Sequence, residues 1–71
     1  MKPTLKTAAV AHFEAKRQEA YANLQIYLNN AVGVAEHPNF LAEVVGLTKQ
    51  LAEAEECLQT FMINFADGED R

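Results

Sequence analysis

The sequence predicts an all-α fold: an antiparallel two-helix hairpin that assembles as a homodimeric four-helix bundle or a higher oligomer. Three observations predict it. Residues 40–65 carry an unbroken 3.5-residue apolar repeat, residues 13–31 carry a matching one, and Gly33 to Pro38 interrupt the two with turn-forming residues. Strand-like alternation is absent, and Ala, Glu, Gln, Leu and Lys are frequent, so propensity and period agree on helix.

Residues 1–6 read as a short lead-in. The first helix is expected over about 7–32, with Thr4 or Thr7 as its N-cap, because a hydroxyl there can accept from an otherwise unpartnered backbone N–H. Phe13, Arg17, Ala20, Leu24, Tyr27 and Ala31 recur at alternating spacings of four and three, which places them on one stripe flanked by Tyr21 and Leu28. Gly33 suits the left-handed residue that closes a helix. The turn spans 33–37. Pro38 fits the first position of the second helix, where its missing N–H costs nothing, with His37 as N-cap.

The second helix is expected over about 38–65. Its stripe is Phe40, Val44, Leu47, Leu51, Ala54, Leu58, Phe61 and Phe65. A connection of about five residues forces antiparallel packing. With the turn centred near residue 35, Leu24 faces Leu47, Ala20 faces Leu51, Phe13 faces Leu58, Tyr27 faces Val44 and Ala31 faces Phe40. Arg17 falls opposite Ala54 and Glu55, which predicts an Arg17–Glu55 ion pair in or beside the seam. Residues 66–71 read as an acidic tail.

A single domain of 71 residues with one Cys has no internal disulfide, and Cys57 with two scattered His makes no zinc pattern. A lone core this small is marginal, so oligomerisation is the remaining source of stability. The sequence offers surface for it. Ala11, Ala15, Ala22 and Ile26 form a second apolar strip on the first helix, and Leu41, Val45, Ala52, Met62 and Ile63 flank the seam of the second. Ala11, Ala15, Ala22, Ile26, Leu41, Val45 and Met62 are therefore the expected oligomer interface.

The net charge of −4 is unevenly placed. Residues 1–35 have four cations against two acids, and residues 36–71 have eight acids against two cations, which favours folding one half onto the other. Four dispersed cations without interleaved aromatics are too few for a phosphate-tracking surface, so nucleic acid is not an expected partner. No apolar run approaches the roughly 18 residues of a membrane span, and the N-terminus lacks a signal-peptide core, so a soluble cytoplasmic protein is expected.

No phosphate loop, nucleophile elbow or catalytic triad pattern occurs, and the Glu-x-x-His signature of di-metal bundles is absent. No catalytic residue, metal or cofactor is expected. The segment Glu36-His37-Pro38-Asn39 admits two readings, a helix-entry motif or a Glu–His functional pair. Candidate ligand-binding residues are Arg17, Tyr27, Asn30, Glu36 and His37, with Lys16, Tyr21 and Asn29 beside them. Aromatic rings and cations at oligomer clefts can hold a small anion such as a signalling nucleotide. His12 is read as an edge residue, Cys57 as a packing thiol off the seam, and Glu53 and Glu56 as a solvated face.

The stretch from Ala20 to Leu58 resembles small proteins of tailed phages, including phages of marine cyanobacteria. The shared elements are Asn23-Leu24, Tyr27-Leu28-Asn29, Val32-Gly33-Val34, Glu36-His37-Pro38-Asn39 and Leu51-Ala52-Glu53-Ala54-Glu55. Where those proteins carry Ile-Gly in the turn this chain has Val34-Ala35, and Asn39 stands for their Asp. The resemblance is uninformative about activity. It implies a phage accessory protein in the bacterial host cytoplasm. The expected roles are then three: a homo-oligomer that binds and modulates a host or phage protein, a sequestering protein for a small anionic ligand, or a virion or assembly component.

Overall fold

The structure, a computed structural model, describes residues 4–29 and 39–66. Two helices, α1 (Leu5–Leu28) and α2 (Asn39–Phe61), pack against each other, and α2 continues into a π-helical turn, Met62–Ala66. The packing is antiparallel, since Phe13 early in α1 meets Phe61 late in α2 with ring centroids 6.5 Å apart, while Tyr27 late in α1 meets Phe40 early in α2 at 5.1 Å. The expected partners, Leu58 and Val44, lie one turn inward of these. The two offsets run in opposite directions, so they reflect the reach of the rings and leave the register centred where the turn places it.

Of the two hydroxyls expected to cap α1, Thr4 is the one used. Its backbone is extended (φ −100°, ψ 170°), and its Oγ1 accepts from the Thr7 N–H at 3.0 Å. The helix therefore begins at Leu5, two residues before the expected start, and Leu5 and Lys6 belong to α1 rather than to a lead-in. At the other end the Asn29 N–H donates to the Gln25 carbonyl at 2.9 Å. Ala31, the turn 33–37 and the Pro38 helix start lie outside the described residues, as do residues 1–3 and 67–71.

The expected seam is the observed one. Ala20, Leu24 and Ala54 are buried, and Phe13, Tyr27, Phe40, Val44, Leu47, Leu51, Leu58 and Phe61 are half-buried around them. Small residues meet large ones across the contact, which lets the two helices approach closely. Phe65 departs from the expected pattern and is 54% exposed. The π turn bonds i to i+5 and advances less angle per residue, so Phe65 does not rotate back onto the seam. It stacks instead on Phe61, with ring centroids 5.4 Å apart. Among the described residues no helix is long and apolar enough to cross a membrane.

Candidate functional site

The two packed helices form a single layer. It has two broad sides flanking the seam, and their chemistry differs. At 100° per residue, positions one step off a 3.5-residue seam generate a parallel stripe along its edge. On α1 that stripe is His12, Lys16, Glu19 and Asn23; on α2 it is Gly46, Gln50, Glu53 and Cys57. The structure brings the two together. His12, Phe13, Lys16 and Glu19 from α1 and Gln50, Glu53, Ala54 and Cys57 from α2 line a groove of about 380 Å³.

Taken one by one these residues do not predict a groove: His12 reads as an edge residue, Glu53 as part of a solvated face, Cys57 as a packing thiol, and Lys16 as a candidate ligand contact elsewhere. The signal lay in the shared period of 12-16-19 and 50-53-57. The groove holds two carboxylates, one ammonium, one imidazole and one thiol beside Phe13 and Ala54, so it is of mixed polarity without a dominant charge. Among the described residues no group of three or more His, Cys, Asp or Glu is placed to hold a metal ion. The His12 ring lies edge-on to Phe13 at 5.5 Å, which positions the imidazole at the groove wall. A second cavity of about 360 Å³ continues toward the end of α2, lined by Phe13, Glu56, Cys57, Thr60, Phe61 and Phe65. Phe65, set beside Phe61, forms one wall of this open depression.

The opposite side is apolar. It carries Tyr21, Leu28, Leu41, Val45 and Met62, all among the exposed large hydrophobic residues. Near its middle sits Arg17, and here the structure corrects an expectation. Arg17 does not pair with Glu55. Its Nη2 bonds the Glu14 Oε2, one turn back on α1, and the Gln18 amide donates to the same oxygen at 3.4 Å. A partner three residues away on the same helix is reached without spanning the seam. Glu55 acts on Arg17 only as a more distant charge. The hydrogen bond from Arg17, aided by those from Gln18 and by its charge, holds the Glu14 carboxyl below the usual carboxylate range, against a smaller opposing effect of desolvation.

The expected ligand-binding set is not gathered into one place. Arg17 is engaged with Glu14. Tyr27 is half-buried against Phe40, its ring nearly perpendicular at 82°. These two lie ten residues apart on α1, roughly 15 Å along the axis. Asn30, Glu36 and His37 lie outside the described residues. Of the expected interface residues, Leu41, Val45 and Met62 share the apolar side with Tyr21 and Leu28. Ala11, Ala15, Ala22 and Ile26 are exposed on the back of α1, directed away from α2. The two strips expected from the sequence lie on different surfaces of the hairpin. Comparison with family models, curated proteins and solved structures finds no match for this chain.

Proposed function

We propose that this chain is a non-catalytic helical interaction protein that works as a homo-oligomer and modulates a host or phage protein. One observation carries the reading. Among the described residues only Ala20, Leu24 and Ala54 are buried, two of them alanines, while nine large hydrophobic side chains are exposed. Three buried side chains and a ring of half-buried ones are a small core to set against the conformational entropy of ordering two helices. The apolar surface left open is the kind that a partner chain covers. The phage setting and the cytoplasmic location rest on the resemblance of residues 20–58 to small tailed-phage proteins.

Sedimentation equilibrium of the full chain across micromolar concentrations tests the self-association. The expected result is a dimer or a higher oligomer, and a folded monomer throughout the range overturns the reading. Chemical cross-linking in host lysate tests the protein partner. A discrete cross-linked product formed by the native oligomer, and lost in a variant that cannot assemble, is expected.

The groove supports a second reading, the sequestration of a small ligand. Its volume lies at the lower end of small-molecule sites, and Lys16 and His12 are available to an anion. Glu19 and Glu53 in the same lining oppose one, which makes this the second choice. A thermal-shift screen with nucleotides tests it, and the absence of any shift rejects it.

A further inference from the structure

The far end of the groove differs in chemistry from its middle. Lys16, Glu19, Gln50 and Glu53 line the middle. The end is lined by Phe13, Phe61 and Phe65, with Glu56, Cys57 and Thr60 beside them, around a volume of about 360 Å³. Phe13 and Cys57 line both parts, so the two are continuous. The depression therefore belongs to the groove flank. The opposite flank is the heptad side, where Tyr21 and Leu28 on α1, and Leu41, Thr48, Glu55 and Met62 on α2, recur at intervals of seven.

The sequence and the packing together place the rings. Phe61 and Phe65 stand four residues apart at the end of α2, Phe13 stands early in α1, and antiparallel packing gathers the three at one end of the hairpin. They do not stack flat. The planes of Phe13 and Phe61 are inclined by 54°, and those of Phe61 and Phe65 by 48°. Inclined rings form the facets of a shallow cup. Phe65 reaches this position on the π turn, and the Asn64 side-chain amide ties that turn to α2 by donating to the Thr60 carbonyl at 2.8 Å.

Charge says what the cup fits. Among the described residues Glu56 is the one charged side chain in its lining, and no Lys, Arg or His joins it. The faces of aromatic rings are negative and attract a cation, and a carboxylate adds to that attraction. An anion meets Glu56 and finds no counter-charge. A metal ion finds one carboxylate, and among the described residues no group of three ligands. A compact ammonium is strongly hydrated and gains little from apolar walls. A methylated ammonium carries its charge under an apolar surface, so it satisfies the rings and the carboxylate together.

We infer that this end of the groove binds a small quaternary or methylated ammonium ion, its methyl groups against Phe13, Phe61 and Phe65 and its charge balanced by Glu56. The volume lies near the lower end of small-molecule sites, and the continuous groove leaves room for the rest of such a ligand. The inference rests on neither the homo-oligomer reading nor the anion reading of the groove.

Titration of the full chain with choline, followed by the NMR resonances of the phenylalanine rings, tests this. Saturable shifts are expected at Phe13, Phe61 and Phe65, with Phe40 at the other end of the hairpin as internal reference. The comparison ligand is the neutral isostere of choline in which a tert-butyl group replaces the trimethylammonium. Choline is expected to bind about threefold to fivefold more tightly than the isostere. Glu56→Gln is expected to weaken choline by about threefold and to leave the isostere unchanged. Phe65→Leu keeps an apolar wall but removes a ring, and is expected to weaken choline by about threefold as well. Circular dichroism checks that the variants keep their helix content; Glu56 is exposed, so its substitution decides the matter if Phe65→Leu loses the fold. The absence of saturable shifts overturns the inference, and so do shifts at Phe40 equal to those at Phe61. An isostere that binds as tightly as choline, or a Glu56→Gln chain that binds choline as the native one does, reduces the cup to an apolar depression and overturns it too.

Discussion

The two sides of the hairpin are built from the same helices by the same 3.5-residue spacing, yet they differ in character. The groove side sets His12, Lys16 and Glu19 against Gln50, Glu53 and Cys57. The heptad side sets Tyr21 and Leu28 beside Leu41, Val45 and Met62. Both are exposed in the hairpin. The groove side can remain solvated, since its polar groups keep their water; the heptad side cannot do so without leaving apolar area exposed. The difference teaches that one 3.5-residue spacing lays down stripes of different chemistry on the two flanks of a single seam.

The largest expected effect removes what the two sides share. Leu24 is 8% exposed and, among the described residues, is the one large side chain buried between the helices. Leu24→Ala is expected to cost about 2–3 kcal/mol, at the lower end for core leucines because the site opens to solvent nearby. Urea denaturation measured at one fixed protein concentration checks it. If the loss is below 1 kcal/mol, the internal seam contributes little and assembly dominates.

Next is a substitution that separates the sides. Tyr21→Lys on the heptad side is expected to cost about 1–2 kcal/mol of assembled stability. It should also flatten the rise of the melting temperature with protein concentration. Gln50→Lys on the groove side is expected to stay within about 0.5 kcal/mol of the native chain and keep that concentration dependence. Equal effects from the two would erase the distinction between the sides.

A smaller effect has the opposite sign. Gly46 lies within α2 on the groove stripe, and a Cβ placed there meets nothing within 4 Å. Gly46→Ala is expected to raise stability by about 0.5–1 kcal/mol, because glycine costs helix propensity and nothing opposes the added methyl. A loss of stability in thermal melts would mean that the groove side is occupied after all.

The smallest effect is that of pH on the heptad side. Arg17 lowers the Glu14 carboxyl below its unfolded value. The stabilisation is therefore fully present above the ordinary carboxylate range and is lost as pH falls through the depressed value. Native and Glu14→Gln chains should differ most near neutrality and converge as pH falls below the ordinary carboxylate range. A gap that widens on acidification would reverse the assignment.

Much of this was legible beforehand. The seam was readable residue by residue from Phe13 to Tyr27 and from Phe40 to Phe61, because burial on a helix follows a period that composition cannot disguise. The Thr4 cap was readable as one of two candidates. The Arg17 partner was not, since a long guanidinium reaches Glu14 on its own helix as easily as Glu55 across the seam, and spacing favours neither. Phe65 was misplaced for a different reason: a π turn changes the angle per residue, and nothing in Met62-Ile63-Asn64 announces it. The groove needed both helices in register before its separate residues became neighbours.

The sequence by itself determined that the chain is two amphipathic helices, where their shared stripe lies, and that more apolar surface exists than a hairpin can cover. These follow from local propensity and from a period counted along one chain. Only the tertiary structure decided which stripes share a side. It set His12, Lys16 and Glu19 beside Gln50, Glu53 and Cys57, and it turned Arg17 toward Glu14. Those outcomes depend on the rotation of each helix about its own axis relative to the other, and side-chain packing in the seam sets that rotation.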